Sequence, residues 1–534
     1  MPVSARPDLV VVGGPVWTGH AALPWARGFA VTGDTISFVG QDDDVRARIA
    51  SSTRVVELSG RFAMPGFIDT HAHFLDGGFR LSAVQLRDAA TAEDLAQRLR
   101  DYAARREPGA WILGGDWDHE LWGGALPDRA WIDAATPDHP VWVTRLDWHM
   151  ALANTRALEL AGLSEDVRSP DGGEVVRDAT GRLTGVFKDA AMTLVSRFVP
   201  QPTAAERDAA LRAAMAHAAS LGVTGVHDMG SWDDLETYRR AKSAGDLTLR
   251  VYAFVPLSTV DRLAARVERE GRGDDWLRIG GLKGFVDGSL GSGTALFSEP
   301  YTDEPGNRGL RVTPMAELRR WMTRADEADL QVAIHAIGDQ AVRELLDAYG
   351  DLESAHGPRD RRYRVEHAQH LDAGDIDRFA KLRIVAAMQP YHAFDDGRWA
   401  ERRIGADRAR LAYAFRSLID AGATVAFGSD WTVAPLDPLT GVYAAVTRHT
   451  LDGAHPEGWI PEQKISIEQA MRAYTAAAAW AGFMDTRTGR LTPGRLADFV
   501  ILTGDPFRIE PRNLLDLRVD ATFVGGTEVC RSDG

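Results

Sequence analysis

The sequence predicts an α/β protein: a (β/α)8 TIM barrel with a flanking β-sandwich built from both termini and an insertion after the first barrel strand. Three observations carry this reading. Eight short apolar runs alternate with helical segments through the middle of the chain, and eight strand–helix units are the composition of a barrel. The two chain ends share a different texture, short β-rich runs broken by glycines. The first two apolar runs are also separated by far more chain than a crossover helix needs.

Taken in order, DLVVVGGPVWTG, GFAVTGDTISFVG and RVVELSG fill residues 1–65, the first part of the sandwich. GRLADFVILTGD and VDATFVGGTEV repeat the pattern within 485–534, the second part. The alternative is two unrelated terminal hairpins. Between them, residues 66–484 carry the barrel. Its strands are read at 66–73, 222–229, 250–255, 278–288, 331–339, 363–369, 383–390 and 423–431. These are continuous apolar runs, as parallel strands covered on both faces should be. Residues ~80–200 form the insertion, placed to cover a substrate. Helix starts are marked by Thr91 as an N-cap and by the capping-box pairs Thr203/Glu206 and Ser466/Gln469; Gly222 and Gly482 mark stops.

Composition narrows the function classes. The chain has 534 residues, 45% hydrophobic and 26% charged, which is ordinary for a folded globular protein and ample for a large core. Its formal charge of −15 disfavours nucleic acid and anionic membranes as partners. One cysteine, Cys530, excludes a disulfide scaffold and a cysteine-based zinc cluster. The N-terminus lacks a long apolar stretch after Arg6, and no run approaches 18 apolar residues, so a cytoplasmic protein is expected.

The candidate chemistry lies at strand ends. His71 and His73 are two residues apart, and period-two geometry points both imidazoles to one side of the sheet. A lone His-x-His is as often structural as metal-binding. His335, His367 and Asp430, however, each end a later strand, where barrel active sites form. Burying several imidazoles and a carboxylate together is costly unless a cation satisfies them. That ligand set suits zinc, manganese or iron. Lys283 lies in the same set. Beside metal ions an ammonium would be repelled, whereas a carboxylated lysine is an anion able to bridge two cations. The alternative is a lysine that reaches solvent or pairs with Asp287.

PGFIDTHAH, followed by Lys283, His335, His367 and Asp430 in that order, resembles the metal-dependent amidohydrolase superfamily. GGDWDHELW, PDHPVWVTRLDWHMALANTRAL, GVTGVHDMG, FVDGSLGS, IHAIGD, RVEHAQH, MQPYH and FGSDW are similar to the branch containing N-substituted formamide deformylases, amidohydrolase family 3. The resemblance covers nearly the whole chain. It implies a divalent metal centre hydrolysing a C–N bond. His71 and His73 would hold one ion, His335 and His367 a second, and carboxylated Lys283 would bridge them. Asp430 would act on the water between them.

Other residues carry two readings each. Asp116, Trp117, Arg145 and His149 fall in the insertion, as a substrate wall or as ordinary packing. His227 ends the second strand and is read as facing the mouth. Asp287 and Ser289 follow the lysine strand and support the site. Trp431 lines the pocket or simply packs. His370 and His392 are read as structural.

The expected function is metal-dependent hydrolysis of an amide or formamide-type bond in a small molecule, by a metal-activated water with Asp430 as proton shuttle. One or two ions per chain, zinc first, and a homodimer are expected. The same centre hydrolysing an ester or lactone, or a metal-lacking barrel that only binds a ligand, are the alternatives.

Overall fold

The computed structural model describes residues 6–532. Eight parallel strands form one sheet in chain order: β1 (Phe67–Ala72), β2 (Val223–Met229), β3 (Arg250–Pro256), β4 (Leu277–Phe285), β5 (Gln331–Ala336), β6 (Arg364–His367), β7 (Val385–Met388) and β8 (Thr424–Phe427). Every residue of β1, β2, β5, β6 and β7 is buried, which is why these segments read as uninterrupted apolar runs. The register places Lys283 of β4 beside Ala333 of β5, and His335 of β5 beside Glu366 of β6.

The barrel closes just beyond the ends of β8 and β1. Asp430 N–H donates to His71 O at 2.7 Å and His73 N–H to Trp431 O at 2.6 Å. The buried Asp69 carboxylate accepts the Ser429 N–H at 3.0 Å. Close approach here requires glycine at 428, because a Cβ would sit 2.5 Å from His71 N and 2.7 Å from Asp69 Oδ1.

Helices cover the barrel's outside. The helix Ala204–Ser220 starts with the expected Thr203/Glu206 capping box, and Ile467–Ala473 with Ser466/Gln469. A third box, Ser231/Asp234, starts Trp232–Ala244 and went unread in the sequence.

Both chain ends build two further sheets. One orders the strands Thr35–Gly40, Gly28–Thr32, Leu9–Val12 and Arg54–Glu57. The other orders Thr527–Arg531, Val519–Val524, Phe499–Leu502, Phe62–Pro65, Val16–Trp17 and Trp25–Ala26. Val11, Phe29, Ala63, Phe499, Ile501 and Phe523 share one buried cluster, the sandwich interior. A buried ion pair joins it to the barrel: Arg250 of β3 contacts Asp498 at 2.6 and 2.8 Å.

The insertion carries its own six-stranded sheet, ordered Gly173–Arg177, Leu183–Asp189, Met150–Ala153, Val141–Arg145, Ile112–Trp117 and Val84–Gln85. Apolar clusters cover both faces, one holding Leu99, Val143 and Leu152, the other Trp142, Ala153 and Phe187. This sheet holds the segment Arg145–His149 at the barrel mouth. Among the described residues no helix is long and apolar enough to cross a membrane.

Candidate metal centre

The sequence-read strand ends converge. His71, His367 and Asp430 each offer a ligand atom, and these atoms lie within 4.8 Å of one another, all in buried residues. Asp430 Oδ1 is 3.4 Å from both His71 Nε2 and His73 Nε2. Lys283 Nζ is 3.3 Å from His71 Nε2. The His335 and His367 rings are 4.5 Å apart.

The backbone bends to make this cluster. His367 (φ 74°) and Asp430 (φ 61°) adopt left-handed conformations that cost non-glycine residues of order 1–3 kcal/mol each. The His367 turn falls at the end of β6 and the Asp430 turn three residues beyond β8, and both side chains lie against His71 of β1.

Second partners set the tautomers. Glu366 Oε2 accepts the Nδ1–H of His71 at 2.5 Å, leaving the Nε2 lone pair towards Asp430 and Lys283. Gly288 O can only accept, so His335 Nε2 donates to it at 2.9 Å and Nδ1 keeps the lone pair. Gln389 uses its amide nitrogen on Ala387 O, which turns Oε1 towards His367 Nδ1 at 2.8 Å. His367 therefore donates through Nδ1 and keeps its lone pair on Nε2. Burial holds His71, His335 and His367 well below the ordinary imidazole pKa, so all three imidazoles are neutral. Neutral imidazoles with fixed lone pairs around a carboxylate are a donor set that fits a divalent cation.

Lys283 makes no pair with Asp287. Burial lowers its amine to about 8, with Glu366 and Asp430 opposing the shift. Asp287 is instead spent on backbone, accepting the N–H groups of Leu296 (2.8 Å), Gly338 (2.9 Å) and Ile337 (3.0 Å).

A cavity of about 200 Å³ opens onto the cluster, lined by His73, Lys283, His335, His367 and Asp430 on the barrel side. Of the other sequence candidates it includes Arg145, His149 and Ser289. Arg145 pairs with Asp147 at 2.7 Å, and Ser289 donates to the same carboxylate. His149 contacts Asp189 through Nδ1 at 2.6 Å; burial opposes its charged form, yet Asp189 raises its pKa above the ordinary value.

Four candidates are not brought to this cavity besides Asp287. Asp116 faces Arg80 at 3.3 Å. Trp117 is core of the insertion, its Nε1–H on Val143 O at 2.9 Å. Trp431 packs on Phe74 and His217. His227 sits two residues before the end of β2, short of the mouth, and accepts a hydrogen bond from Arg364 at 2.9 Å. Conversely, His392, read as structural, lines the cavity, as do Asp118, Asp147, Asp395 and Trp399.

Barrel, flanking sandwich and strand-end ligand cluster define the class of metal-dependent barrel hydrolases. The chain belongs to the amidohydrolase family, which matches it over residues 54–530. It is 40% identical over 541 residues to Protein LONG AFTER FAR-RED 3 of Arabidopsis thaliana, covering 99% of this chain and 92% of that one. It is 28% identical to N-substituted formamide deformylase of Arthrobacter pascens, with 97% of each chain covered. The crystal structure of an uncharacterized metal-dependent hydrolase from Pyrococcus horikoshii OT3 superposes with a TM-score of 0.78 at 29% identity, covering 94% of this chain and 99% of that one. The resemblance drawn from the sequence thus holds for family and fold.

Proposed function

We propose that the protein hydrolyses a non-peptide C–N bond, of amide or formamide type, in a small molecule. The observation that carries this reading is the buried His71, His367 and Asp430 cluster at the base of the cavity. His71, His73, His335 and His367 would hold the metal, zinc first, with Asp430 and, for two ions, carboxylated Lys283. When bound, a divalent cation polarises the scissile carbonyl and lowers the pKa of water.

The chain's own residues do the rest. Asp430, between the imidazoles of His71 and His73, accepts a proton from the attacking water through one carboxylate oxygen. It returns that proton to the leaving nitrogen as the C–N bond breaks. Trp148 stacks on His73 with ring centroids 5.2 Å apart, and Phe285 packs on His335 at 5.3 Å. These rings exclude water from the imidazoles and give an apolar substituent a surface. The relative named N-substituted formamide deformylase supports N-substituted formamides as the first substrates to try.

The test is elemental analysis of purified protein together with turnover of an N-substituted formamide panel before and after chelation. One or two divalent ions per chain and chelator-sensitive release of formate are expected. Fully active protein without a transition metal would end the reading.

A further inference from the structure

His392 begins from an unassuming place, the third residue of the helix Pro390–Asp396 that follows β7. Its Nδ1 lies 3.1 Å from Gln369 Nε2. An amide nitrogen can only donate, so His392 Nδ1 holds a lone pair and the ring hydrogen is on Nε2. The same contact excludes the imidazolium, which would carry a hydrogen on both nitrogens.

That Nε2–H has no hydrogen-bond partner, although the residue is 8% exposed and lines the cavity. The nearest carboxylate oxygen, Asp430 Oδ2, is 3.8 Å away, too far for a hydrogen bond. The ring is parallel to that of His367, at 15° and 6.2 Å between centroids, so it is held in place beside the cluster. Buried donors in native proteins find partners. Here the missing partner is an acceptor that enters the cavity next to Asp430.

We propose that His392 is a catalytic residue whose Nε2–H hydrogen-bonds the carbonyl oxygen of the scissile bond and the oxyanion it becomes, with Gln369 as the positioning residue that fixes the tautomer. This rests on the hydrolase reading above. The arrangement is that of an oxyanion donor: neutral, preset, and adjacent to the group that handles the proton.

The test uses metal-loaded full-length protein and the variants His392→Phe, His392→Gln and Gln369→Glu, each with metal content measured. Phe keeps the ring and removes the donor; Gln carries an amide N–H at the reach of Nε2. Expected are an unchanged metal content, a fall in kcat of about 10²–10³-fold for His392→Phe with KM little changed, and recovery of most of that loss by His392→Gln. Gln369→Glu replaces the amide donor by a carboxylate acceptor. It should reverse the tautomer and lower kcat as His392→Phe does.

Two readouts do not depend on turnover. The ¹⁵N shifts of histidine-labelled protein, assigned by difference from His392→Phe, should show the hydrogen on Nε2 in the parent and on Nδ1 in Gln369→Glu. Calorimetric binding of methylphosphonate, a tetrahedral oxyanion, should weaken at least about tenfold in His392→Phe. If no amide or formamide is turned over by the parent, the hydrolase reading fails, while the tautomer and methylphosphonate measurements still judge the donor. A hydrogen on Nδ1 in the parent, or methylphosphonate affinity unchanged in His392→Phe, would overturn the proposal.

Discussion

Glu366 receives the Nδ1–H of His71 at 2.5 Å, and both side chains are wholly buried. Arg364 holds the other side of the carboxylate, with Nε 2.6 Å from Oε1, and also donates to Thr70 O in β1. Alternation along β6 puts Arg364 and Glu366 on one face, so a single strand supplies both the carboxylate and its counter-charge. The pair turns His71 so that Nε2 faces Asp430. A histidine ligand oriented this way typically loses 10–100-fold in metal affinity, about 1.4–2.7 kcal/mol, when its carboxylate partner is removed. Glu366→Gln should therefore weaken metal binding by about that factor, measured by chelator competition, with the fold retained by circular dichroism. Unchanged affinity would reduce the contact to packing.

Asp430 is the proposed proton shuttle. Asp430→Asn keeps the shape and one ligand oxygen but cannot accept a proton. The variant should fold, retain most of its metal and lose at least about 10²-fold in kcat. His367→Ala should differ, losing metal and activity together. A metal-loaded Asp430→Asn with near-parental kcat would move the shuttle to another group.

The barrel was legible because its strands are covered on both faces, so each appears as an apolar run ending in a polar residue. His71, His335, His367 and Asp430 could be read from that position alone. The roles of Glu366, Gln389 and Gln369 could not, because they lie in partners on other elements, up to 295 residues away for Glu366 and His71. Arg364 and Glu366 did leave a signal, two opposite charges at period two in an apolar strand. His227 shows the limit of reading position alone. The strand ends at Met229 as read, but His227 lies two residues before that end, a layer below the mouth, where it meets Arg364 rather than the cavity. In the insertion, Asp116 and Trp117 are neighbours of the cavity-lining Asp118 in sequence, yet Asp116 takes a left-handed turn (φ 58°) at a bulge that sets it against Arg80, and Trp117 ends the strand in the insertion's core.

Gly428 sets the spacing between β8 and β1. A methyl group there would meet His71 N at 2.5 Å and Asp69 Oδ1 at 2.7 Å, both in a closed and buried seam. Gly428→Ala must push β8 outward, stretching the Asp430–His71 backbone contact of 2.7 Å. We expect a destabilisation of about 1–3 kcal/mol, as overpacking gives, and a kcat loss larger than the fall in Tm implies. Gly306→Ala, where a Cβ meets nothing within 4 Å, serves as the control and should change neither.

Lys283 provides the pH test. Burial lowers its pKa from 10.5 to about 8, which raises the free-amine fraction at pH 7 to about one in ten. Carboxylation needs that free amine: its lone pair attacks the carbon of CO2, the N–C bond forms, and the ammonium proton is lost to solvent. The sign follows directly. In metal-free protein the cost of burying the ammonium is fully present below pH 8, where folded and unfolded chains both hold the proton. It is relieved between about 8 and 10.5, where only the unfolded chain does, so stability from this group rises with pH in that window. Carboxylation responds below it. At fixed CO2 pressure, the rate at which metal-free protein regains activity on addition of zinc should rise about tenfold per pH unit and level off near pH 8. An ordinary surface lysine would keep rising to about 10.5. Lys283→Met should show no CO2 dependence at any pH. A reactivation rate indifferent to CO2 in the parent would show that the amine, not a carbamate, serves the site.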